Sequence, residues 1–106
     1  MEETEFTALA ESTLARIEAS LEESGVDADV ELKPGGVIEI EYADGSKMVI
    51  NRHAAAREIW VAARSGGFHF RWEGGAWHDT REGTELFAAL SKLVSAQSGQ
   101  PVRLRP

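Results

Sequence analysis

The chain contains no cysteine, which excludes disulfide bonds, thiolate metal ligands and a sulfur nucleophile. It also lacks a run of about 18 apolar residues, the length at which a segment becomes a candidate membrane-spanning helix. Its first residues are acidic and lack the basic region and apolar run of a secretory signal peptide. We therefore expect a cytoplasmic protein that folds without disulfides.

Basic residues are scarce in the first half of the chain. Residues 1–50 carry 13 Asp and Glu against 3 Lys and Arg, whereas residues 51–106 carry 5 against 8. Between Arg16 and Lys33 there is no basic residue. The same interval contains an acidic ridge of six residues: Glu18, Glu22, Glu23, Asp27, Asp29 and Glu31. A patch of one sign repels itself and attracts cations or a basic protein surface. The acidic balance argues against nucleic acid and anionic membranes as partners, because both bind clusters of Lys and Arg.

Sequence motifs of common enzyme classes are also missing. The chain has no glycine-rich phosphate loop, no nucleophile motif and no pair of histidines at metal-ligand spacing. Its three histidines, His53, His69 and His78, are scattered, and each fits a surface or half-buried position better than a catalytic one. We therefore do not expect an enzyme.

The hydrophobic pattern predicts a helix, six short strands and a second helix. Apolar residues from Phe6 to Leu21 recur at helical spacing and Gly25 is a natural stop, which predicts a first helix over about residues 4–24. The second helix is expected from about Thr84, as its N-cap, to Gly99. The alternating segments between them are 29–33, 38–42, 48–50, 59–62, 68–72 and 76–79. Residues 54–57 are better helix formers than strand formers, so the start of the fourth strand stays open.

These elements predict an α+β fold in one domain, residues 1–106: a two-layer α-β sandwich. Consecutive hairpins give an antiparallel sheet of about six strands, and the two terminal helices cover one of its faces. The other face should be exposed to solvent. Val30 and Leu32 should point to the core, with Asp29 and Glu31 pointing away from it.

The exposed face of the sheet is the place where an aromatic side chain could bind a partner. Three tryptophans are many for a small domain, and core packing is the usual reason for them. Trp60 is the candidate anchor, with Asn51, Arg52 and His53 beside it. His69, which lies between Phe68 and Phe70, should also point from this face.

Carboxylate oxygens of the acidic ridge suit hydrated divalent and trivalent metal ions. Ligands spread over a surface cannot enclose an ion, so we expect weak, salt-sensitive binding rather than a structural metal site. Two alternative roles of the ridge stay open. It could be a solvated helix face that only keeps the protein soluble, or a docking surface on which metal binding is incidental. Binding of sugars by exposed tryptophans is a more distant alternative.

Several segments, in their order and spacing, resemble the frataxin family in its bacterial form. They are Glu5–Phe6, Gly35–Val37, Asp44–Lys47, Val49–Arg52, Ile59–Ala62 and Gly66–Phe70. The resemblance implies an iron-binding protein of iron–sulfur cluster assembly, holding Fe²⁺ and Fe³⁺ weakly and reversibly without an organic cofactor. It also implies that the ridge docks on the cysteine desulfurase IscS and modulates cluster formation on the scaffold protein.

The resemblance assigns residues by position. Those implied for metal binding are Glu11, Glu18, Glu22, Glu23, Asp27, Asp29 and Glu31. Those implied for partner binding are Glu18, Glu22, Glu23, Asn51, Arg52, His53 and Trp60. His53 departs from the Gln that the family usually has at this position. Repulsion within the ridge favours a monomer when no metal is bound.

Overall fold

The computed structural model describes residues 1–106 and contains two helices and six strands. In chain order these are α1 (Glu3–Ser24), β1 (Ala28–Lys33), β2 (Val37–Tyr42), β3 (Lys47–His53), β4 (Glu58–Ala63), β5 (Gly66–Glu73), β6 (Ala76–Asp79) and α2 (Leu86–Ser98). The strands form one sheet in sequence order, each antiparallel to its neighbour. The α+β sandwich predicted from the sequence is confirmed. No helix is long and apolar enough to cross a membrane.

Helix α1 forms where its apolar stripe predicts. Its core-facing residues include Phe6, Ile17 and Leu21, each no more than 1% exposed. The helix ends at Gly25, which adopts a φ of 70° and donates its backbone N–H to the Glu22 carbonyl oxygen. A left-handed residue at this position is a common helix stop and favours glycine.

The core lies between the two helices and the helix-facing side of the sheet. That side of the strands carries fully buried apolar side chains, among them Ile40, Ile50 and Phe70. The buried Trp77 ring of β6 donates its Nε1–H to the Thr13 hydroxyl of α1, at 2.9 Å. The same hydroxyl donates to the Leu9 carbonyl oxygen, so both polar groups are satisfied inside the core.

The start of α2 differs from the sequence prediction, because Glu85 and not Thr84 is its N-cap. The Glu85 carboxylate accepts the backbone N–H groups of Phe87 and Ala88, at 2.8 and 3.0 Å. Thr84 stays in the preceding loop, where its carbonyl oxygen accepts the Asp79 N–H. A negative charge at a helix N-terminus is favoured by the helix dipole, which accounts for a glutamate at this position.

Residues 102–105 lie extended between the two helices, as the alternation of apolar residues suggested. Val102 and Leu104 are buried. Their backbone N–H groups donate to the hydroxyl groups of Ser95 and Ser91 in α2, at 2.9 and 2.8 Å. The Arg105 N–H donates to a serine hydroxyl of α1, at 2.8 Å. The tail therefore connects both helices through side-chain hydroxyls.

The position of Leu32 corrects a further expectation. Leu32 shares the helix-facing side of β1 with Val30, yet it is 54% exposed. The reason is geometric: α1 contacts β3 near the middle of the sheet, so β1 extends beyond it as an edge strand. Residues 54–57 form a turn, and β4 begins directly after them.

Replacing Thr13 by Val should destabilise the fold, because the buried Trp77 Nε1–H would lose its acceptor. An unsatisfied buried donor costs about 1–3 kcal/mol, and we expect a loss of that size in urea unfolding followed by circular dichroism. Thr13→Ser keeps the hydroxyl and should cost less. A Thr13→Val protein as stable as the wild type would show that the bond contributes nothing.

Candidate metal and docking surface

Most members of the acidic ridge are free of ion pairs. Glu18, Glu22, Asp27, Asp29 and Glu31 form no salt bridge, and all are exposed except Glu18, which is half-buried. Glu18 and Glu22 lie on the side of α1 that faces β1. The β1 edge of the sheet therefore carries uncompensated negative charge.

Two other predicted metal ligands form ion pairs with arginine side chains. Glu23 is held by Arg16 at 3.1 Å, and Glu11 by the Arg52 guanidinium at 2.8 Å. Arg52 is distant in sequence and reaches the helix only because β3 lies beneath α1. Both pairs are exposed at their acidic ends, so each contributes little stability but lowers the local negative charge.

The ridge acids of β1 lie on the opposite face of the sheet from those of α1. Asp29 and Glu31 alternate with Val30, so they point away from α1, toward the open face. They stand directly opposite Glu41 and Glu39 of β2. Sequence reasoning missed these two partners, although the alternation of β2 could have indicated them.

The two acids of β2 differ in their surroundings. Glu39 binds Lys33 at 3.0 Å and Lys47 at 3.3 Å, and the hydrogen bond from Lys33 is the main cause that lowers the pKa of Glu39. Glu41 forms no salt bridge, and it stands between Asp29 of β1 and Lys47 of β3 in the register of the sheet. Like charges in this arrangement are unfavourable unless a cation lies between them. Nowhere in the structure do three or more carboxylate or imidazole groups converge to hold a metal ion.

The residues assigned to partner binding do not form one surface. The acids of α1 and the Arg52 side chain lie on the helix side, whereas Asn51, His53 and Trp60 belong to the open face of the sheet. Arg52 is instead part of the α1–β3 contact. The backbone N–H of Arg52 donates to the Gly36 carbonyl oxygen. A Cβ on Gly36 would lie 2.8 Å from the Cγ of Arg52. The Gly-Gly-Val and Asn-Arg segments therefore occur together because one packs on the other.

The open face carries a stack of three aromatic rings. The His53 and Trp60 rings lie 3.7 Å apart at an interplanar angle of 10°, and the His69 ring covers the other face of Trp60 at 4.3 Å and 7°. The predicted directions of His53 and His69 are confirmed. Trp60 is half-buried, and both faces of its ring are covered, so only its edge can contact another molecule.

Glu58 lies beneath this stack and was missed by the sequence analysis. It is 5% exposed, and its carboxylate accepts the Trp60 Nε1–H at 2.8 Å and an Arg71 N–H at 2.7 Å. Burial alone would raise the pKa of Glu58, but the hydrogen bonds from Trp60 and Arg71, together with the charge of Arg71, lower it overall. The signal in the sequence was its spacing of two residues from Trp60.

Known proteins resemble this chain in both sequence and fold. A family model described as a frataxin-like domain matches residues 1–100. The chain belongs to the frataxin family. It is 59% identical to the iron–sulfur cluster assembly protein CyaY of Dechloromonas aromatica, over 99% of this chain and 100% of the relative. It is 51% identical to the CyaY of Janthinobacterium sp., over 99% and 97%.

Solved structures of the family have the same fold. A frataxin from Psychromonas ingrahamii matches with a TM-score of 0.90 and 31% identity, over 100% of both chains. A trimeric frataxin from Saccharomyces cerevisiae, complexed with ferrous iron, matches with a TM-score of 0.72 and 31% identity, over 94% of this chain and 88% of that one. The family resemblance inferred from the sequence is confirmed.

Gly36→Ala should cost more stability than Gly35→Ala, although both glycines have a positive φ, of 76° and 86°. Each substitution introduces backbone strain of about 1 kcal/mol. Only a Cβ on Gly36 meets Arg52, whereas one on Gly35 meets nothing within 4 Å. We expect an additional loss of about 1 kcal/mol for Gly36→Ala in urea unfolding. In an Arg52→Ala background the two substitutions should cost the same; a persistent difference would contradict the role of packing against Arg52.

Glu58→Gln should change how stability depends on pH. Because the pKa of Glu58 is lowered in the folded state, its charge stabilises the fold above the unfolded pKa of about 4.3. That contribution is lost as the pH falls through the lower folded pKa. The difference in unfolding free energy between wild type and Glu58→Gln should therefore be largest near neutral pH and shrink below about pH 4. Glu73→Gln, at an exposed acid on the same face of the sheet, is the control and should give no such trend.

Proposed function

We propose that this chain is an iron–sulfur cluster assembly protein that holds iron as weakly bound cargo and docks through its acidic ridge on a basic partner. The observation that carries the proposal is the set of five ridge acids without ion pairs along α1 and the β1 edge. A relative that is 59% identical to the chain carries the name iron–sulfur cluster assembly protein. The proposal assigns no catalytic step to the chain.

The chemistry of the ridge supports iron as the cargo. Its donors are all carboxylates, which suit the hard ion Fe³⁺ and also bind the borderline ion Fe²⁺, each ion keeping part of its water shell. Because the acids are spread along an edge, an ion would contact few of them at once and exchange rapidly. Weak binding of this kind serves the transfer of iron, whereas a closed site would retain it.

The partner that we propose is the cysteine desulfurase IscS, with the scaffold protein beside it. An uncompensated negative edge steers a positively charged surface toward it and raises the association rate. The His53–Trp60–His69 stack lies on β3, β4 and β5 of the open face, away from the ridge at the β1 edge. It could therefore contact the scaffold protein while the ridge contacts the desulfurase.

A purely docking role is the second candidate, and the absence of a converging ligand cluster favours it. In that case iron would bind the ridge no better than other divalent ions. Nuclear magnetic resonance of labelled protein, titrated with Fe²⁺ under anaerobic conditions and excess Mg²⁺, separates the two. Selective broadening of amides between Glu18 and Glu31 supports iron handling, and uniform broadening over all acids supports docking alone.

A charge reversal at the ridge should weaken desulfurase binding by about tenfold or more. We propose the double variant Glu22→Lys with Asp29→Lys, measured by titration against purified desulfurase. Glu73→Lys with Glu82→Lys is the matched control, since it changes the net charge equally at exposed acids outside the ridge. Equal losses in the two double variants would show that only the total charge matters and would contradict docking through the ridge.

A further inference from the structure

An apolar groove runs beside the acidic ridge, between α1 and β1. One part has a volume of about 320 Å³ and is floored by Leu21, Val26 and Val30. A second part, of about 240 Å³, is floored by Leu14 and Leu32. The two parts meet at Glu18, which lines both. Two acids of the ridge, Glu18 and Glu22, therefore form the rim of this groove on its α1 side.

Leu32 is the least expected residue of this groove. At 54% it is the most exposed large apolar side chain of the chain, and Met1 at 49% is the only other one that is exposed. Leu32 lines its part of the groove together with Leu14, Val37 and Ile38, so it belongs to a contiguous concave apolar surface and is not an isolated exposed side chain. Nothing in the fold requires a leucine here, because Leu32 is outside the core that α1 covers.

The rim of the groove determines what could fill it. Glu18 and Glu22 form the α1 wall without ion pairs. Asp29 and Glu31 point from β1 to the opposite face of the sheet and do not line the groove. The two basic residues at the far end, Lys33 and Arg52, are already bound to Glu39 and Glu11. The rim therefore favours an occupant that combines an apolar side chain with flanking positive charge.

We propose that this groove receives an apolar side chain from a segment of the desulfurase that also carries Lys or Arg beside it, facing Glu18 and Glu22 of α1. The proposal rests on the proposed function and adds a contact to it: the basic residues bind the rim, and the apolar one packs on Leu32 and Val30. Each part of the groove is near or below the lower end of the usual volume of ligand pockets, about 300–1,000 Å³, which suits single side chains better than a whole ligand. A second copy of the chain is a poorer occupant, since it would bring the same acidic rim into contact.

The test compares variants that change only the apolar contact. Leu32→Ser should weaken binding to purified desulfurase about fivefold to tenfold, because half of a leucine side chain would no longer be buried in the complex. The salt dependence of desulfurase binding should be the same for Leu32→Ser as for the wild type. Leu32→Met, which keeps the apolar surface, should bind within about twofold of the wild type. Val49→Ser, at a half-buried apolar side chain on the open face of β3, is the control for the loss of apolar surface outside the groove.

The outcomes separate this proposal from the function on which it rests. If Leu32→Ser binds like the wild type, or no worse than Val49→Ser, while charge reversal at the ridge weakens binding, the groove is empty in the complex and the proposal is overturned. If charge reversal leaves binding unchanged, the proposed docking function itself fails.

As a measurement without substitutions, the methyl signals of Leu32 and Val30 should shift when unlabelled desulfurase is added to the labelled protein. Unshifted methyl signals in a formed complex would also overturn the proposal.

Discussion

The packing of α1 on the sheet is the constraint on which the other features depend. Burial of the apolar stripe from Phe6 to Leu21 fixes the rotation of the helix, and the bond between Thr13 and Trp77 fixes its position relative to β6. Once that rotation is set, the polar side of α1 must face solvent beside β1. The acids of the helix and those of the strand then meet at one edge, although the chain turns between them.

This arrangement has an electrostatic cost that the fold relieves only in part. Arg16 neutralises Glu23, and Arg52 neutralises Glu11. Each arginine also contacts another segment: the Arg16 side chain donates to the Arg105 carbonyl oxygen, and the Arg52 backbone N–H donates to the Gly36 carbonyl oxygen. The acids nearest β1 keep no partner, so their mutual repulsion remains in the folded state. Residues selected for stability alone would alternate in sign along such an edge. The uncompensated charge is more easily understood if a ligand or partner supplies the opposite sign.

Periodicity was sufficient to predict the helices, the strands and their two-layer arrangement, because burial of one face imposes a spacing that is visible in the sequence. The ridge acids were found from the distribution of charge, because no basic residue lies between Arg16 and Lys33. Periodicity could not predict the pairing of Glu11 with Arg52, the burial of Glu58 or the exposure of Leu32. Each of these depends on how far one element extends over another, and that distance is a property of the assembled layers and not of any local pattern. Glu85 was missed since its capping role depends on the loop before it.

The tail between the helices has a consequence for the order in which the domain forms. The strands are synthesised between a helix that is made first and a helix that is made after them, and residues 102–105 bind serine hydroxyls of both. Until that tail has been made, the apolar side of the sheet has an incomplete cover. A nascent chain that has emerged only as far as β6 therefore exposes apolar surface to other molecules. In this fold, completion of the helical layer is a late event of synthesis.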